Sequence, residues 1–99
     1  MLRVYIAGKI AGDPDYRAKF RRAEAWVEAR GHIALNPANA PEGLKKQEYM
    51  RLSFAQIDAA DVVALLPDAK DSPGAQLEVA YCRYVDKRVL SLQEVLRNG

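Results

Sequence analysis

Asp61-Val62-Val63-Ala64-Leu65-Leu66 is closed by Pro67 and followed by a polar loop, Asp68 to Asp71, and then by Ser72-Pro73-Gly74-Ala75. The apolar run is short and bounded by a proline, so it reads as a buried strand. Ser72-Pro73 pairs a capping side chain with a residue suited to the first helical position, so a helix starts there. Downstream, Leu77, Ala80, Tyr81 and Tyr84 give that helix an apolar face, and Arg88-Val89-Leu90-Ser91-Leu92 is a further short strand. A short terminal helix closes the chain.

Upstream the same alternation holds. Leu2 to Ala7 is an apolar run that stops at Gly8, and Gly8 to Pro14 is a glycine-flanked loop. Asp13-Pro14 predicts a helix start. Tyr16, Phe20, Ala23 and Val27 follow helical spacing, and Gly31 stands where a left-handed cap is common. His32 to Asn36 is a strand closed by Pro37, and Asn36 to Gly43 is a loop. Met50, Phe54, Ile57 and Ala60 mark one face of a second helix. Strands alternating with helices predict a parallel sheet with helices on both faces, in a flavodoxin-like or Rossmann-like α/β arrangement.

The chain has 99 residues, which is one domain over 1–99. Hydrophobic residues make up 49% and charged residues 28%, so disorder and collagen are excluded. No apolar run approaches the ~18–20 residues that span a bilayer. The start, Met1 to Tyr5, does not read as a signal peptide. A single cysteine, Cys82, excludes a disulfide framework. The expectation is a cytoplasmic protein. Fifteen basic and 13 acidic residues give a net charge of +2, too balanced to predict a nucleic-acid polymer as partner. Arg17, Lys19, Arg21 and Arg22, interspersed with Asp15, Glu24 and Glu28, read as a solvated helix face.

In open parallel sheets, ligands bind beyond the carboxyl ends of the strands. Three features fall there. Gly8 and Gly12 let backbone approach a ligand, although two glycines in a loop read first as turn chemistry. The loop is neither a dinucleotide fingerprint nor a Walker loop. Ser72-Pro73-Gly74-Ala75 offers outward N–H groups and a helix dipole to an anion, or is a plain cap. Glu78, on the next turn, stands beside the apolar stripe and is a candidate nucleophile or base, or a surface carboxylate. His32 opens a strand at the opposite end of the sheet and has no catalytic partners. No metal-ligand cluster is visible, and Cys82 reads as a packing residue.

Together, Val4-Tyr5-Ile6-Ala7-Gly8, Ala60 to Leu66, and Ser72-Pro73-Gly74-Ala75-Gln76-Leu77-Glu78 resemble the nucleoside 2-deoxyribosyltransferase superfamily. The likeness extends to small phage and bacterial members and to deoxynucleoside-monophosphate N-hydrolases. It implies a Glu78 nucleophile that attacks the anomeric carbon, oriented by Tyr5. It implies that Gly8 and Ile10 lie along the nucleotide and that Ser72, beside Gly74, takes a phosphate. Ser53 stands where the family usually has an aspartate, and Ala11 where the nucleosidases have an arginine, for which Lys9 is the nearest substitute. The resemblance therefore implies base cleavage or transfer on a nucleoside or nucleoside 5′-monophosphate, as hydrolase or transferase, without a cofactor. The alternative is a nucleotide-binding or sensing module without turnover. A homo-oligomer is expected, because Trp26, Tyr49, Tyr81 and Tyr84 exceed what a small core needs and the family completes its sites across subunits.

Overall fold

The computed structural model describes residues 1–98. Four strands, β1 (Arg3–Ala7), β2 (Ile33–Leu35), β3 (Val62–Leu65) and β4 (Val89–Ser91), form one parallel sheet in the order β2-β1-β3-β4. Helices α1 (Tyr16–Ala29), α2 (Lys46–Ala59), α3 (Pro73–Tyr84) and α4 (Leu92–Asn98) connect and close it. This is the expected flavodoxin-like α/β domain. Among the described residues, no helix is long and apolar enough to cross a membrane.

The sheet has two buried faces because its central strands are hydrophobic from Val4 to Ala7 and from Val62 to Leu65. Alternation sends Val4, Ile6, Val62 and Ala64 to one face, where they meet Phe20, Ala23 and Val27 of α1 and Leu92 and Val95 of α4. It sends Tyr5, Ala7 and Val63 to the other, against Ile57 of α2 and Cys82 of α3. Each large apolar side chain so buried contributes about 1.5–3 kcal/mol. Asp61 locks the amino end of the sheet: its carboxylate accepts from Arg3 N–H at 2.8 Å and pairs with the Arg3 guanidinium at 2.9 Å. His32 sits at that same end, with Nδ1 accepting from Leu2 N–H at 3.0 Å.

Several expectations need correction. Helix α1 starts at Tyr16, not at Pro14. The Asp13 carboxylate accepts from Asp15 N–H at 2.9 Å, which makes a turn rather than a helix cap. Arg17 and Lys19 do not lie on a solvated face. Arg17 donates to the carbonyls of Ala38 and Ala40, and Lys19 is folded into the loops at the carboxyl end. Gly8 also allows close packing: a Cβ there would come within 2.6 Å of Leu66 Cδ1. Gly31 behaves as expected, with φ +81 just past the end of α1.

The largest correction concerns α3. Its buried residues are Ala75, Glu78, Val79 and Cys82. The apolar set Leu77, Ala80, Tyr81 and Tyr84 has identical spacing but is displaced by two residues, about 200° around the helix. Leu77 is 53% exposed and Tyr84 90% exposed. The helix thus turns a carboxylate toward the sheet and leaves Leu77 and Tyr84 outside, while Tyr81, stacked on Phe54, stays partly buried at the edge of the core.

Candidate active site

The inverted orientation of α3 creates the site. Tyr5 comes from the centre of β1, on the face covered by α2 and α3, and is fully buried. Its phenol donates to Glu78 Oε1 at 3.0 Å. Ser53, buried on the inner face of α2, brings its hydroxyl to bear on both groups.

Burial dominates the electrostatics. Desolvation lifts the Glu78 carboxyl from its ordinary 4.5 to about 7, while the Tyr5 hydrogen bond and the nearby Ser53 hydroxyl pull it back down. Burial and the Glu78 charge together push the Tyr5 phenol up, so it stays a proton donor. Cys82, one turn beyond Glu78, is also raised by burial and by that charge. Its thiol remains neutral and packs. Glu78 is therefore a carboxylate poised to titrate near neutrality, held in one orientation by a permanent donor.

Above Glu78 opens a cleft of about 1010 Å³, at the upper end of the usual range for small-molecule sites, about 300–1,000 Å³. Gly8, Ile10, Ser53, Ser72, Gly74 and Glu78, six residues singled out in the sequence, all line it. Tyr5 lies beneath, hydrogen-bonded to Glu78. At α3, Ser72 Oγ accepts from Ala75 N–H at 3.1 Å, so Ser72 is a cap in fact. Its hydroxyl hydrogen remains to be donated. A Cβ on Gly74 would meet only Ser72 Oγ at 3.9 Å, which leaves the backbone open to a ligand.

Lys9 is placed differently. Its N–H donates to Asp68 Oδ1 at 3.0 Å and its carbonyl accepts from Lys19 Nζ at 2.7 Å. Its side chain runs over Gly12 and is not part of the cleft wall. Lys19 also pairs with Asp13 and Asp68, and so ties the loop after β1 to the loop after β3. The cationic side chain among the described lining residues is Lys46, at the start of α2. Sequence reasoning passed over Lys46, and it placed Asn36-Pro37 among the strand-end loops that build the site without giving Asn36 a role. The strand-end position of Asn36 was the available signal for one; nothing in the pattern marked the other.

Residues 2–91 match a family described as a domain of unknown function, DUF4406. The chain belongs to the DUF4406 family. Among solved structures, this DUF4406 chain is similar to a 2-desoxiribosyltransferase from Leishmania mexicana, with a TM-score of 0.71 and 19% identity. The match covers 90% of this chain and 62% of that one. At that identity the likeness establishes a shared fold. Comparison with curated proteins gives no match.

Proposed function

We propose that the protein cleaves the N-glycosidic bond of a nucleoside or nucleoside 5′-monophosphate, with Glu78 as nucleophile. The observation that carries this reading is the buried Tyr5–Glu78 hydrogen bond of 3.0 Å at the floor of the cleft. A carboxylate kept dry and oriented by a phenol is costly to build and has no packing role.

The chemistry follows from the parts. Glu78 attacks the anomeric carbon as the bond from that carbon to the base nitrogen breaks. The bonding pair leaves with the base, which takes a proton from water. Tyr5 fixes the attacking oxygen. The glycosyl ester is then opened at the anomeric carbon by water, which gives hydrolysis, or by a second base, which gives transfer. Ser72 and the Gly74 backbone offer donors for a 5′-phosphate. A neighbouring copy of the chain is part of the reading: Leu52 and Leu77 rim the cleft and are 46% and 53% exposed.

A second reading, ligand binding without turnover, draws on Ser53. A hydroxyl there lends no acid to the departing base, where an aspartate would. Incubation with a panel of nucleosides and their 5′-monophosphates, with chromatography of released base, separates the two. Base release by the parent and none by Glu78→Ala supports the enzyme. Saturable binding without release supports the binding module, and full release by Glu78→Ala removes Glu78 from the chemistry.

A further inference from the structure

Asn36 follows β2 at the carboxyl end of the sheet and is only 5% exposed. Its Oδ1 accepts from Ala38 N–H at 2.8 Å and caps the 3₁₀ turn Pro37–Asn39. That bond decides the orientation of the amide. A backbone N–H faces only the oxygen, so the NH2 points the other way. The NH2 has no protein partner among the described residues, yet it is not wholly occluded. Asn36 lines the cleft that holds Ser53 and Glu78, so the unspent donor opens onto that space.

We propose that Asn36 Nδ2 is a specificity-determining donor that binds an oxygen acceptor of the substrate, either a carbonyl of the base or a hydroxyl of the sugar. The inference rests on the nucleoside reading above. An unrestrained asparagine recognises donors and acceptors alike by turning its amide over. Asn36 does not, because turning would set its NH2 against Ala38 N–H. A ligand with a carbonyl at that point is matched, whereas an exocyclic amine is met donor to donor. Sites built around a fixed hydrogen bond discriminate strongly for this reason.

Asn36→Asp keeps an oxygen for Ala38 N–H and replaces the NH2 with an acceptor. Asn36→Ser also keeps an oxygen cap, removes the NH2 and adds no charge. Melting temperature confirms that each variant is folded. Titration calorimetry then compares uridine with cytidine 5′-monophosphate, inosine with adenosine 5′-monophosphate, and the base-free ribose and 2-deoxyribose 5-phosphates. A base carbonyl shared by both members of a pair shows as an at least tenfold loss of both nucleotides in both variants; one that an exocyclic amine replaces makes the parent favour the oxo member at least tenfold. Asn36→Asp then erases or reverses the preference, and base-free sugars bind all forms alike. If the acceptor is a sugar hydroxyl, Asn36→Ser weakens every ligand that carries that hydroxyl, base-free sugars included, at least tenfold, whereas the carboxylate of Asn36→Asp accepts from the same hydroxyl and retains binding. Nucleotide binding by the parent that stays within twofold in both folded variants overturns the assignment of Asn36 alone. Failure of the parent to bind any nucleotide overturns the nucleoside reading and this inference with it.

Discussion

Replacing Glu78 with glutamine should make the protein more stable, and by an amount that depends on pH. Folding raises the Glu78 carboxyl from 4.5 to about 7 because the ionised form loses its water. Between those values the folded state holds the proton that the unfolded state has released, so stability falls as pH rises through this window. Above about pH 7 the penalty is complete. At about 1.4 kcal/mol per pH unit it amounts to about 3 kcal/mol. Glutamine keeps an oxygen to accept from Tyr5 and carries no charge. At pH 8, Glu78→Gln should therefore exceed the parent by about 3 kcal/mol, or upwards of about 10 °C in melting temperature for a domain of this size. At pH 4 the two should coincide. Urea titrations at both pH values measure the difference, with an unchanged denaturant slope as the check that the folded state is intact. Equal stability at pH 8, or a gap independent of pH, would refute the claim that Glu78 is held ionised at the expense of the fold.

Three further outcomes are expected. The kcat/KM for base release should rise with pH through about 7 and then level off, because the unprotonated Glu78 attacks; a profile flat from pH 5 to 9 would exclude it as nucleophile. Tyr5→Phe removes the donor to a buried carboxylate, so Glu78 should titrate higher and base release at neutral pH should drop by about 10–100-fold, read from the same profile. In sedimentation at micromolar concentration the chain should run as a dimer or larger, given Leu77, Tyr84 and Val85 exposed on or just after α3; a monomer throughout would contradict the neighbouring-copy part of the reading.

The alternation of strands and helices was legible because three of the four apolar runs stop at a glycine or proline, at Gly8, Pro37 and Pro67. The spatial order of strands was not, since it depends on which face each connecting helix covers. The orientation of α3 was misread for a physical reason. Ala75, Glu78, Val79 and Cys82 have the spacing of a buried face, but a carboxylate in the middle makes that face look like the outer one. Leu77, Ala80, Tyr81 and Tyr84 look more like core. Hydrophobic patterning assumes that burial follows polarity, and a site that needs a dry carboxylate breaks the assumption. Lys19 was misread in a similar way. Its position on the helix is that of a surface charge, but its long side chain reaches back over two loops. Asn36 reads as a turn residue, which it is; only its burial beside the cleft reveals the second function of its amide.

A sugar carried on Glu78 adds a mass that can be seen on the protein itself. The protein is mixed with the nucleoside or nucleotide whose base it releases, quenched in acid within the first turnover, and measured intact and after peptide cleavage. The expected result is a species heavier by one glycosyl group, mapped to Glu78, absent from Glu78→Gln and decaying as free sugar or transferred product appears. Base release with the adduct on another residue, or undiminished in Glu78→Gln, would contradict it.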